Sequence, residues 1–261
     1  MGKSIFLIDM KRIIVNADDF GINRIVTSEI ERAIIDGFVT STTIMANGEC
    51  LDEVRRFANV HKEVSYGVHL CLSEFSSLTK KEIFQLAGLT DENGIFVKKA
   101  IFKLKDYYDK ALHSAIRDEL NAQIDVVSSL GIPISHADSH HHVHTIYPLN
   151  EIFGKVLHER GISKVRLGGD YRTLRLKLHL FDWLNRIRIN NYYRSRFMTT
   201  DAFYSYTDFI KEGLKRNNEK TVELMCHPGH PAERYRKEME LVGNETVIKR
   251  IQANLVSYMN I

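Results

Sequence analysis

The chain has 261 residues, 44% of them hydrophobic and 26% charged, with a formal net charge of +3. Those fractions are globular averages and exclude disordered and fibrous classes, and the charge is too small to imply a nucleic-acid or membrane partner. Cys50, Cys71 and Cys226 form no CxxC pair and fit a reducing, cytoplasmic setting rather than a disulfide scaffold.

Residues 1–10 read as an N-terminal extension. Its apolar run, Ile5 to Ile8, is too short for a signal peptide or a membrane span. Gly2-Lys3-Ser4 lacks the upstream strand and first glycine of a phosphate-binding loop. Ile13, Ile14 and Val15 predict a first strand buried on both faces. Asn23 then caps a helix with the buried stripe Val26, Ile30, Ala33 and Ile34, closed by Gly37. Thr42 to Ala46 reads as a second strand. Leu51, Val54, Phe57 and Ala58 mark a short helix, and Val64 to Leu72 a third strand with His69 near its end.

Residues 73–104 are the least periodic part, with a turn at Asp91-Glu92-Asn93-Gly94. They read as a long excursion over the active face. Leu112, Ile116, Leu120, Ile124 and Val127 share one stripe of a long helix that ends at Gly131, and Pro133 starts the next strand. A helix through Ile152, Val156 and Leu157 leads to a strand Val165-Arg166-Leu167, and Val222 to Cys226 is a late strand. The last segment reads two ways: Val247, Ile248 and Ile251 have helical spacing, while Leu255 to Tyr258 suits a closing strand. This alternation predicts an α/β fold with a mostly parallel sheet, and about seven units suit a barrel. With no Pro-, Gly- or Ser-rich linker, a single domain over 1–261 is expected. Such a barrel gathers its chemistry at the C-terminal ends of the strands.

Four polar clusters fall at those predicted ends. Asp18-Asp19 follows the first strand. Adjacent carboxylates repel unless a cation or proton lies between them, and one can ligate a metal while the other takes a proton. Taken alone, the pair would also suit a capped turn. His69 ends the third strand, where a lone histidine is usually a hydrogen-bonded core residue. Ser135 to His144 holds five histidines and Asp138 in ten residues. If extended, Asp138, His140, His142 and His144 share one face. Buried imidazoles at that density need a metal or a carboxylate to compensate them. His227 enters a His-Pro-Gly turn that would hold it at a strand tip. A catalytic metal needs about three protein ligands plus water. One Asp and two His from three strand ends supply them. His140 follows Asp138-Ser139 at the strand end, although spacing alone admits His142 or His144. Arg166, alone in its strand, is a candidate to orient a carboxylate.

At these residues the sequence resembles the YdjC-like carbohydrate deacetylase family, which includes the chitooligosaccharide deacetylases. The resemblance runs from Lys11 through nearly the whole chain. It rests on Val15 to Gly21, Val39 to Thr43, Gly67 to Leu70, Asp138 to His144 and Glu223 to Gly229. It implies a distorted (β/α) barrel of the polysaccharide deacetylase type, acting on N-acetylated sugars with one divalent metal. Carried onto this chain, Asp19, His69 and His140 would ligate the metal. Asp18 would be the general base and His227 a candidate general acid. Asp138 and Arg166 would orient ligands and base, with His142 and His144 beside them or the substrate. Two imidazoles and a carboxylate suit Zn²⁺, Fe²⁺ or Co²⁺, and the resemblance also admits Mg²⁺. Where the family has a Thr-Glu-Gly-like turn and a proline-containing loop, this chain has Ser73-Glu74-Phe75 and no proline before Pro133. That departure bears on sugar specificity.

Two other readings compete. A metal-dependent phosphoesterase or amidohydrolase often uses two metals and an HxH near its first strand, where this chain has Asp-Asp. A polyanion binder would use the basic stretch 172–196, with Tyr192, Tyr193 and Phe197 as stacking platforms. The recurrence of Leu176, Leu180, Trp183, Leu184 and Ile187 instead predicts an amphipathic helix. The expected partner is therefore a sugar, not nucleic acid, with assembly into a homo-oligomer left open.

Overall fold

The run Ile13-Ile14-Val15 lies in β1 (Arg12–Phe20), in which every residue after Arg12 is buried. Each such aliphatic side chain contributes about 1.5–3 kcal/mol on burial. The structure is a computed structural model and describes residues 11–98, 100–103, 109–169, 180–211, 213–216, 218–233, 235–236 and 254–261. β1 is central to one sheet. It pairs in parallel with β2 (Ser41–Ile44) on one side and β6 (Thr221–Cys226) on the other. β3 (Ser65–Leu70) and β4 (Ala137–Ser139) extend the sheet beyond β2, and β5 (Ala202–Ser205) lies beyond β6. The order is β4-β3-β2-β1-β6-β5, all parallel.

Parallel neighbours need crossovers, and helices supply them. α1 (Arg24–Ile35) begins at Asn23, whose side chain accepts from the Val26 amide at 3.0 Å. Its buried stripe is the expected Val26, Ile30, Ala33 and Ile34, with Thr27 added. α2 (Leu51–Val60) connects β2 to β3. In the excursion, α3 (Glu82–Leu86) and the bridges Ser76↔Ile95 and Thr90↔Phe96 enclose buried Phe84, Leu89 and Phe96. The excursion thus folds around an apolar cluster of its own. α4 (Lys110–Ser129) is the long predicted helix, but its buried face also includes the polar Glu119 and Gln123. α5 (Leu149–Glu159), α6 (Leu180–Arg194) and α7 (Tyr206–Lys211) complete the helices longer than one turn among the described residues.

The structure differs from the expectations in several places. The described residues form six strands rather than about seven. The predicted strand at Arg166 reduces to single bridges, Ala137↔Val165 and Lys164↔Met198, and Leu255 makes one bridge to Ile13 before a 3₁₀ turn at Tyr258–Asn260. β5 was not anticipated, because no strong turn signal separates it from the preceding helix. Finally, α6 buries Ile189, Asn190 and Tyr193, while Leu184 is half exposed. Residues 172–179 of the basic stretch, and Val247, Ile248 and Ile251, lie outside the described residues. No described helix is long and apolar enough to cross a membrane.

Candidate active site

Asp18 and Asp19 are neighbours in β1, and a regular strand would turn them to opposite faces. The register with β2 shifts between Ala17 and Phe20, and Asp19 adopts φ 71°. This bulge breaks the alternation, so both carboxylates approach His69. Left-handed backbone at a residue other than glycine costs about 1–3 kcal/mol and is a recurrent feature of functional sites.

Asp19 is the meeting point of two imidazoles. Its Oδ1 is 3.2 Å from His69 Nε2 and 2.9 Å from His140 Nδ1. His69 comes from the end of β3 and His140 from the residue after β4. The far nitrogen of each ring is also engaged. His69 Nδ1 lies 2.6 Å from Asp138 Oδ1, and His140 Nε2 lies 3.1 Å from Glu74 Oε2. Burial alone would raise the Asp19 carboxyl, but its bonds to His140 and His69 hold it well below its ordinary value. Burial would push the His69 ring down, yet Asp138, Asp19 and Asp18 hold it well above.

Arg166, fully buried, is the second hub. Its Nη1 and Nη2 reach both Asp18 oxygens at 2.7 Å, Nη1 also reaches Asp138 at 2.7 Å, and Nε reaches Glu223 at 2.7 Å. Burial would raise the Asp18 carboxyl, and the Arg166 charge and bonds more than reverse this. Asp18 is therefore held toward its ionised form. It also accepts from Asn16 Nδ2 at 2.9 Å, and Asn16 in turn contacts His136 Nε2 at 3.0 Å. The His136 ring lies so close to Gly67 that a Cβ there would be 2.7 Å from it, and Tyr258 stacks on it at 3.8 Å. Glu223 has its second oxygen 2.5 Å from the Tyr258 hydroxyl, and burial, only partly offset by Arg166, raises its pKa to about 7. His227 follows β6 directly, and its Nε2 is 3.9 Å from Asp18 Oδ2.

The donor set of Asp19, His69 and His140 fits a divalent cation. One ligand atom from each lies within 4.8 Å of the others. Each imidazole presents one nitrogen to the common point while a carboxylate claims the other, as in carboxylate–histidine–metal sites.

A family model described as YdjC-like protein matches residues 12–253. The chain belongs to the YdjC-like family. A carbohydrate deacetylase from Clostridium beijerinckii is 28% identical to this YdjC-like chain over 267 residues, covering 95% of this chain and 98% of its own. One from Geobacillus stearothermophilus is 30% identical over 220 residues, covering 83% of this chain and 79% of its own. Among solved structures, one described as a cellobiose-phosphate cleavage protein from Enterococcus faecalis V583 has a TM-score of 0.72 at 21% identity, covering 96% of this chain and 98% of its own. That likeness establishes the fold of the YdjC-like chain.

The histidine cluster of the YdjC-like chain is not extended. His140–Thr145 is a tight turn kinked by two left-handed residues, His141 at φ 52° and His142 at φ 56°. The shared face drawn for His140, His142 and His144 therefore does not form. His144 is buried, with Nδ1 2.5 Å from Ser139 Oγ and Nε2 3.2 Å from the Arg166 carbonyl, and burial lowers its pKa to about 3. The His142 and Phe203 rings meet in a T-shaped pair with centroids 5.4 Å apart, and His141 contacts Ser73 Oγ at 2.9 Å. Four residues around the site had no role read from the sequence: Asn16, Glu74, His136 and Glu223. Three lie within the quoted motifs or beside them, and Glu74 lies in the very turn that departs from the family pattern, but no spacing rule points to their partners.

Proposed function

We propose that this YdjC-like chain, acting as one domain over 1–261, hydrolyses the acetamide of an N-acetylated sugar with one divalent cation. The observation that carries the reading is the convergence of His69 and His140 on one oxygen of Asp19, with Asp18, held by Arg166, alongside. The names of the two relatives above support the acetyl group and the sugar. The chemistry such a cation supplies is polarisation of a carbonyl and activation of water near neutral pH.

The protein's own groups handle the protons. Asp18, fixed by Arg166 and Asn16, accepts one proton from water as the oxygen bonds to the acetyl carbon. As the carbon–nitrogen bond breaks, His227 gives a proton to the leaving amine. The products are acetate and an amino sugar. Zn²⁺, Fe²⁺, Co²⁺ and Mg²⁺ are all compatible with this donor set, and elemental analysis of protein purified without added metal identifies the ion.

The test measures metal content and acetate release from N-acetylglucosamine and its oligomers. Asp19→Asn loses the metal. Asp18→Asn keeps it and loses about 10²–10⁴-fold in turnover. Wild-type turnover in Asp18→Asn removes Asp18 as base. Failure of the metal-loaded wild type to release acetate from any N-acetylated sugar overturns the proposal.

A further inference from the structure

Glu74 lies on the excursion, four residues beyond β3, and is distant in sequence from Asp19 and His140. Its Oε2 accepts from His140 Nε2 at 3.1 Å, while the opposite nitrogen of that ring faces Asp19 at 2.9 Å. His69 repeats the pattern, with Asp138 in place of Glu74. The two carboxylates differ in setting. Asp138 is buried and also held by Arg166 and Thr43. The Glu74 side chain is partly exposed and shares its oxygen with Lys98 of the same excursion at 3.7 Å.

The turn around Glu74 is built rather than loose. Cys71 Sγ donates to the Glu74 carbonyl at 3.1 Å, and the Phe96 amide donates to the Phe75 carbonyl at 2.8 Å. Phe75 adopts φ 66° in that turn, and its ring lies 6.2 Å from the His140 ring. These contacts fix the carboxylate at the edge of His140 that faces away from Asp19.

We infer that Glu74 is the positioning residue of His140, and that through it the excursion sets the affinity of the cation site. The inference rests on the proposed metal site. A hydrogen on His140 Nε2, donated to Glu74, leaves the Nδ1 lone pair directed at the position shared with Asp19 and His69. The carboxylate also makes the ring a stronger donor, and loss of such a partner typically weakens metal binding by about 10–100-fold. Lys98 competes for the same oxygen, so anything that engages Lys98 changes what Glu74 gives to His140. The same atoms form a second group, since Glu74, His140 and His141 also lie within ligand reach of one another. Were the cation held there, Glu74 would itself be a ligand, on the other nitrogen of His140.

The experiment is a competition titration of Zn²⁺ against a chromophoric chelator, with thermal unfolding of each metal-free variant in parallel. Glu74→Gln, which keeps the shape, and Glu74→Ala are both expected to bind Zn²⁺ about 10–100-fold more weakly, with metal-free unfolding midpoints unchanged. His141→Asn, which tolerates the left-handed backbone there, keeps wild-type affinity. If both Glu74 variants bind like wild type while Asp19→Asn loses the ion, the inference fails and the metal site stands. If Asp19→Asn also binds like wild type, the metal site itself fails. If His141→Asn weakens binding as much as Asp19→Asn, Glu74 is a ligand and the positioning role is overturned.

Discussion

Arg166 grips Asp18 with two parallel bonds, Nη1 to Oδ2 and Nη2 to Oδ1, both 2.7 Å long. The pair is fully withdrawn from solvent, and the same guanidinium serves Asp138 and Glu223. Such a fork fixes direction as well as charge. Arg166→Met would leave three buried carboxylates without their cation. It is expected to destabilise the fold by about 3–5 kcal/mol, read from urea unfolding. Arg166→Lys keeps one charge but loses the fork. With Asp18 no longer aimed, turnover should fall on the order of 10²-fold. Unchanged unfolding of Arg166→Met would show that the carboxylates do not depend on it.

His144 has a structural task that its place in the cluster conceals. Ser139 Oγ accepts from the His144 amide at 3.0 Å and also contacts its ring, closing a loop around His140 to Val143. The ring packs near Phe153 and Tyr193. His144→Ala therefore removes a buried ring and frees two consecutive left-handed residues. The expected loss is about 2–4 kcal/mol, accompanied by weaker metal binding because His140 is carried on that loop. A variant with the wild-type melting temperature would contradict this.

Glu223 predicts a pH dependence with a definite sign. Its folded pKa is about 7 against an ordinary 4.5, so the folded state holds a proton that the unfolded chain releases. The stability tied to that proton is complete below pH 4.5 and is lost as pH rises to about 7. Its size is about 3 kcal/mol from the shift. Glu223→Gln cannot titrate. The stability of that variant relative to wild type should therefore rise between pH 4.5 and 7.5 and level off above. Urea midpoints that stay parallel across that range would rule the effect out.

The excursion depends on one buried carboxylate in α4. Glu119 accepts from the amides of Leu78 and Thr79 at 3.0 and 2.9 Å, from the hydroxyls of Ser77 and Thr79 at 2.8 Å, and from Gln123 at 2.8 Å. Glu119→Ala strands those donors at a cost of about 1–3 kcal/mol. The change should speed proteolysis within 73–103 and raise KM for an N-acetylated sugar more than it lowers kcat. Proteolysis at the wild-type rate would show that other contacts hold the excursion.

The strand–helix alternation was legible because apolar spacing reports which faces are buried. Ile13 to Val15, the α1 stripe and the Asn23 cap all follow from local chemistry. Asp18-Asp19, His69 and His227 stood out because each polar group directly follows or ends an apolar run. The kinked turn at His140 was not legible, because alternation reads a strand wherever it is not told of a turn, and neither Gly nor Pro marks the two left-handed histidines.

The amino-acid order alone settled the secondary-structure rhythm and the residue types available for chemistry, since both depend on neighbours a few positions apart. Which histidine of the cluster meets Asp19, which nitrogen it offers, and that Arg166 unites Asp18, Asp138 and Glu223 were decided only when the sheet closed these distances. Those choices depend on directions in space between residues up to 148 positions apart, set by a one-residue bulge and a reversed coil. Periodicity carries no record of them.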